Sequence, residues 1–227
     1  MAPLLKPFAP GVWEYNAPLR VLGIEMGHRM TVVRLADGSL WVHSPVRWSR
    51  ELDGEIRMLG EVRHFVAPSR MHDGFWPEWF DHFKGAQFAA APGVAKEHPE
   101  LPFSVKLADD RPGVPGGEIR ARLMRGMPLV NEVDFLHVPS RTLIVADLVF
   151  NLDPPDFRSR LLLRLNGALG RPTPSRMFRM AIRDRAAFRA SLDEVLLWDF
   201  DRVIVGHGEN IAFGGRNVLR GAFSFLE

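Results

Sequence analysis

Short runs of apolar, β-branched residues, punctuated by turn residues, dominate the chain, and this pattern predicts strands with helices between them. Arg29–Leu35 (RMTVVRL) and Ser39–His43 (SLWVH) flank Ala36-Asp37-Gly38. Asp-Gly between two apolar runs predicts a β-hairpin. Residues 48–59 place Leu52, Ile56 and Leu59 at helical spacing. Val62–Val66 reads as a buried strand that ends at Pro68, in the loop APSRMHDG, and Phe75–Phe83 reads as a short aromatic helix. Residues 91–117, rich in Pro, Gly and charge, predict connecting loops around a weak strand or two. Strands resume at Ile119–Met124, Glu132–His137 and Thr142–Val149, with Val138-Pro139-Ser140-Arg141 turning between the last two. Residues 157–169 and 184–198 read as helices, Val203–Gly206 as a strand and Gly215–Leu226 as a closing helix. Two β-then-α halves in this order predict stacked sheets with helices outside them.

Length and composition narrow the classes. A chain of 227 residues suits one domain, residues 1–227, with room for a layered core. The net charge is only +2, so basicity alone gives no argument for a nucleic-acid partner. Cysteine is absent, which excludes disulfides, thiolate metal sites and a cysteine nucleophile. The opening MAPLLKPFAPGVW is broken by prolines before it reaches the length of a signal peptide. No run approaches the roughly 18 apolar residues of a membrane span. The expected location is therefore the cytoplasm.

Two segments carry the candidate chemistry. EVDFLHVPSRTLIVADLVFN, Glu132–Asn151, and DFDRVIVGHGENI, Asp199–Ile211, each run through apolar residues to a side chain able to bind a metal. Those side chains are Asp147 and His207, and strand ends of this kind present chemistry at the rim of a sheet. His207 lies between two glycines, where backbone can approach a ligand closely.

The set MTVVRL, LWVHSP, VAPSRMHDG, EVDFLH, SRTLIVADL and WDFDRVIVGHG resembles the metallo-β-lactamase superfamily. Within it, the set is most similar to an uncharacterised family, a domain of unknown function. The resemblance runs from about Arg20 to Ile211. It implies an α+β fold, a four-layer αβ/βα sandwich, with a metal site at the rim between the sheets. It places Asp147 on the superfamily's bridging aspartate and His207 on its last histidine. His43-Ser44-Pro45 stands where an Asp-Thr-Gly is usual. In the loop that corresponds to the H-x-H-x-D-H signature, Ser69 and Met71 occupy the first two histidine positions, Asp73 keeps the aspartate and Gly74 replaces the third histidine. A slip of one residue brings His72 in as a ligand. No histidine lies between Glu118 and Phe135, where another ligand is usual, and Met127 is near that place. The expectation is one divalent ion at most, Zn, Fe or Mn, held by His72 or Asp73 with Asp147 and His207, or no metal at all.

On that reading His72, Asp147 and His207 are the catalytic candidates of a hydrolase. Arg70 is the candidate to hold a substrate carboxylate or phosphate. His43 is a candidate to bind substrate or hydrogen-bond a ligand, with a simply packed histidine as the alternative. His137 and Glu132 are weaker candidates, since each has an ordinary packed or solvated alternative. Ser44, Ser69 and Ser140 sit in no G-x-S-x-G elbow. Trp76 and Trp79, beside the signature loop, read as packing or as a hydrophobic substrate wall. The alternative to a hydrolase is a non-catalytic binding protein on the same scaffold, taking a small anionic ligand or none. Arg158–Arg189 carries nine arginines against Asp184 alone. It offers a surface for nucleic acid or membrane, or a solvated helix whose arginine stems cover core. The substrate and the oligomeric state stay open.

Overall fold

In the computed structural model, which describes residues 3–72 and 74–226, two sheets carry the fold. The first half supplies β1 (Lys6–Ala9), β2 (Val12–Ala17), a small hairpin of β3 (Arg20–Val21) and β4 (Ile24–Glu25), then β5 (His28–Arg34) and β6 (Leu40–His43). It continues with α1 (Arg50–Leu59), β7 (Val62–Ala67), α2 (Trp76–His82), β8 (Gln87–Ala90), α3 (Val94–Glu97) and β9 (Val105–Lys106). The second half supplies β10 (Ile119–Leu123), β11 (Val133–His137), β12 (Thr142–Ile144), α4 (Phe157–Leu165), α5 (Arg176–Ala181), α6 (Arg185–Leu196), β13 (Arg202–Ile204) and α7 (Gly215–Ala222), closed by a 3-10 turn. The larger sheet has the order β1-β2-β5-β6-β7-β8-β9, and the smaller β10-β11-β12-β13. This is the expected α+β metallo-β-lactamase-like architecture, with two sheets and helices packed on them.

Local signals set these elements. At the β5–β6 hairpin Gly38 has φ +82°, and the Asp37 carboxylate accepts the Ser39 backbone N–H at 2.9 Å, as an Asp-Gly turn requires. Helices α1, α4, α5 and α6 each start at a Ser or Asp whose side-chain oxygen accepts a backbone N–H three residues on. Strand alternation then sorts the faces. Val133 and Phe135 of β11 turn toward the larger sheet, where Phe135 meets Trp41 edge-to-face at 5.1 Å. Leu136 of β11 and Leu143 of β12 turn the other way, into a second cluster with Phe188, Leu192 and Val195 of α6. On the far side of the larger sheet, α1 buries Leu52 and Ile56, and Trp76 and Trp79 of α2 are fully buried packing residues.

Several elements differ from the pattern expectation. β1, β2, the β3–β4 hairpin, β8 and α5 add to it, and the strand expected over Thr142–Val149 keeps its ladder only to Ile144. The reason lies in Glu132. Its carboxylate, with no solvent exposure, accepts the N–H of Ala146 at 2.6 Å and of Asp147 at 3.0 Å, the donors a continuing ladder would use. Asp134, two residues on and equally buried, sits beside it. Burial, then the charges of Asp134 and Asp147, hold the Glu132 pKa well above the usual carboxylate range. Burial pushes Asp134 up to about 7, against an opposing hydrogen bond from Glu132. The pair therefore retains a proton where exposed carboxyls have lost theirs.

Two predictions follow from this packing. Truncating the inter-sheet ring, Phe135→Ala, is expected to cost about 3–5 kcal/mol in urea unfolding, the transfer term plus the cavity left behind. Asp134 has a folded pKa above its unfolded value, so its stabilising contribution is complete at low pH and lost as pH rises through about 7. Asp134→Asn should melt above the parent near pH 8 and lose that advantage by about pH 4, which melting curves across this range would read.

Candidate metal centre

Three segments that end strands converge at one rim. After β7 the chain turns at Ser69, whose buried hydroxyl accepts the N–H of Met71 and of His72, both at 3.2 Å. The turn is anchored to the smaller sheet: Val133 N–H donates to the Pro68 carbonyl at 2.8 Å, and Arg70 N–H to the Val130 carbonyl at 2.9 Å. Asp147 leaves β12 under the Glu132 clamp. His207 follows β13, and Gly206 N–H donates to the Ala146 carbonyl at 3.1 Å. Gly206 has to be glycine here. A Cβ on it would lie 2.5 Å from the Ala146 carbonyl oxygen and 3.0 Å from His72 Cε1.

His72 Nε2, His207 Nε2 and Asp147 Oδ1 form a nearly equilateral triangle. Its edges are 3.2 Å between the imidazole nitrogens, 3.5 Å from His72 to Asp147 and 3.4 Å from His207 to Asp147. A point equidistant from all three lies about 2 Å from each, and zinc prefers nitrogen and oxygen ligands at about 2.0–2.2 Å. All three residues are buried.

The surrounding hydrogen bonds decide which atoms face the triangle. His207 Nδ1 lies 2.6 Å from the Gly27 carbonyl, which can only accept, so Nδ1 carries a proton and Nε2 is the nitrogen that faces the triangle. Phe150 stacks on the same ring, 5.5 Å away at 12°. His72 Nδ1 lies 2.6 Å from Ser44 Oγ, which lies 2.9 Å from His28 Nε2. Ser69 Oγ also lies 3.4 Å from Asp147 Oδ2 and donates to it, which leaves Oδ1 for the triangle. Burial raises the Asp147 pKa, but the charges and hydrogen bonds of His72 and His207 outweigh it and hold the carboxylate far below its usual range. Burial, then the neighbouring imidazoles, push His28 down to about 2, so it is a neutral hydrogen-bonding ring. Two imidazoles and an ionised carboxylate, each oriented from behind, make a donor set that fits one divalent ion.

Of the residues expected from the sequence, His72, Asp147 and His207 come together. The slipped alignment of the signature loop is the one that brings a histidine in. Asp73 lies outside the described residues. Arg70 is engaged, donating to the Pro128 carbonyl at 2.5 Å and pairing with Glu97. His43 does not line the triangle. It is buried to 1% exposure between Trp41 and Phe135, neither ring nitrogen has a partner among the described residues, and burial drives its pKa down to about 3. His137 bonds Ser140 Oγ at 2.7 Å in the turn after β11. The residues that pattern reading missed are His28, and Ser44 and Ser69 as positioning hydroxyls. Ser44 carries one visible mark, a φ of +52°, unusual for a non-glycine residue. No helix among the described residues is long and apolar enough to cross a membrane.

Comparison with solved structures gives the same architecture. The metallo-β-lactamase from Pontibacter korlensis superposes with a TM-score of 0.65 at 14% identity, covering 98% of this chain and 97% of that one. The metallo-β-lactamase FIM-1 from Pseudomonas aeruginosa, in its mono-zinc form, gives 0.65 at 11% identity over 98% and 93%. The metal-soaked Flv1 flavodiiron core from Synechocystis sp. PCC6803 gives 0.66 at 10% identity, over 98% of this chain and 60% of that one. At such identities the likeness shows the fold alone. No curated protein matches the chain. Residues 10–160 match the family model described as Domain of unknown function (DUF4336). With more than half its length matched, and the metallo-β-lactamase fold around a buried His-Asp-His cluster, the chain belongs to the DUF4336 family.

Proposed function

We propose that residues 1–227 act as one unit, a hydrolase that uses a single divalent ion held by His72, Asp147 and His207. The observation that carries this reading is the triangle of donor atoms with edges of 3.2–3.5 Å. Two imidazoles with one carboxylate suit zinc, iron(II) or manganese. Such an ion, when bound, supplies Lewis acidity to water and to a carbonyl or phosphoryl oxygen, the chemistry of ester, thioester, amide or phosphoester cleavage. The chain supplies the rest. Gly27 and Ser44 fix the two rings, Ser69 and Glu132 fix Asp147, and Phe150 stacks on His207. Asp147 is the most exposed of the three, at 8%, so substrate approaches from its side. Arg70 holds a substrate carboxylate or phosphate by exchanging Glu97 for it. His43 is too deep to touch substrate.

Equilibrium dialysis against zinc, iron(II) or manganese, followed by elemental analysis, tests the ligand set. The parent should retain about one equivalent of one of these metals. His207→Ala and Asp147→Asn should weaken retention by about a hundredfold or more, with folding monitored by circular dichroism. Less than about a tenth of an equivalent in the parent, or equal retention in the variants, overturns the assignment.

One observation favours a second reading. His72 and His207 are only 3% and 5% exposed, and structural metal sites are closed where catalytic ones keep an open position. On that reading the protein is a non-catalytic scaffold in which an ion ties the sheets together or a small anion binds without turnover. Cobalt(II)-loaded protein separates the two. A visible spectrum that shifts on adding acetate or thiocyanate shows an open position and supports the hydrolase. An unchanged spectrum supports the closed scaffold.

A further inference from the structure

The arginine-rich segment between the site and α6 has no part in this chemistry, and its helices are built the wrong way round for a solvated surface. In α4 the two buried residues are Ser159 and Leu163. At about 100° per residue the side diametrically opposite them centres on Leu161, with Phe157 and Leu165 one turn before and after. These three outward side chains are 45%, 77% and 63% exposed. Arg158 lies on one flank of this stripe and Arg160 and Arg164 on the other. A solvated helix places its charges outermost. Here apolar side chains are outermost and cations flank them.

α5 extends the same character. Its first turn is tied to the end of α4, with Arg176 N–H donating to the Asn166 carbonyl at 2.9 Å and Met177 N–H to Asn166 Oδ1 at 3.3 Å. It buries Phe178 and leaves Met177 and Met180 exposed at 64% and 75%. Among the described residues, six of the fourteen exposed large apolar side chains fall between Phe157 and Met180, so the patch is concentrated and not scattered. The charge is concentrated too. Nine arginines and one aspartate between residues 157 and 189 hold eight net positive charges in a chain whose total is +2. Arg158, Arg164, Arg171, Arg176 and Arg183 form no ion pair among the described residues.

We propose that this face, α4 with the start of α5, docks on an anionic lipid surface. An outward apolar stripe enters the headgroup boundary while flanking guanidinium groups meet lipid phosphates, and each component reinforces the other. Duplex nucleic acid would use the arginines but leave Phe157, Leu161 and Leu165 without a role. A second copy of the chain would bring an equally cationic face against this one.

The test uses the full chain and vesicles of phosphatidylcholine, with or without phosphatidylglycerol, in a sedimentation assay. The chain should sediment with the phosphatidylglycerol vesicles, bind pure phosphatidylcholine at least about tenfold more weakly, and be released by high salt. Leu161→Asp with Leu165→Asp, and separately Arg158→Glu with Arg164→Glu, should each lower binding by about tenfold or more. All four positions are exposed, so circular dichroism spectra should match the parent. No vesicle binding, equal binding to both vesicle types, or binding unchanged in both double variants overturns the proposal. So does a concentration-dependent dimer dissolved by the leucine variant, or retention of duplex DNA without vesicle binding.

Discussion

Two imidazole nitrogens and a carboxylate oxygen, held within 3.5 Å of one another and away from water, repel unless positive charge sits among them. That constraint organises the rim. Every neighbour of the triangle faces it from behind and supplies what a lone-pair cluster needs: a carbonyl that takes the proton of one ring, hydroxyls that hold the other ring and the second carboxylate oxygen, and a buried carboxyl that grips the backbone under the aspartate. Glycine at position 206 is required for a steric reason, since a Cβ there would strike the Ala146 carbonyl and crowd the His72 ring.

The parts of this arrangement that were legible in the sequence are those where one residue breaks a pattern. Asp147 and His207 stand at the polar ends of apolar runs, and that discontinuity is visible without neighbours. His72 was half legible, because the loop could be aligned in two ways and only the Ser69 turn chooses between them. His28, Ser44 and Ser69 were not legible in these roles. A hydroxyl that orients a ring from another strand leaves no periodicity, and its function exists only once β5, β6 and the loop after β7 lie side by side. For His43 the packed alternative is the one the ring's surroundings match. It ends a strand at the right position, but alternation points it inward against Trp41 and Phe135.

The fold divides in the same way. Asp37-Gly38 announced its hairpin, and Leu52 and Ile56 announced α1. β1 contains Pro7, and β2 alternates only weakly, so neither rose above the proline-broken start of the chain. Thr142–Val149 has the composition of one long strand, yet Glu132, distant in pattern terms, takes the donors that would extend it. In α4 the pattern marks a helix but not which side faces in, because Ser159 and Leu163 suffice to seat it.

His72 hangs from the larger sheet, while Asp147 and His207 hang from the smaller. The same seam is crossed by the His207 bond to Gly27 and by Arg29 N–H donating to the Gly206 carbonyl at 3.0 Å. Beneath this rim the two sheets share one apolar interior, in which Val133, Phe135, Ile144 and Ile204 of the smaller sheet pack with Trp41 of the larger. Undoing the rim would loosen this edge while the shared interior still holds the sheets together, and early protease nicks would then fall in the loops that carry His72, Asp147 and His207.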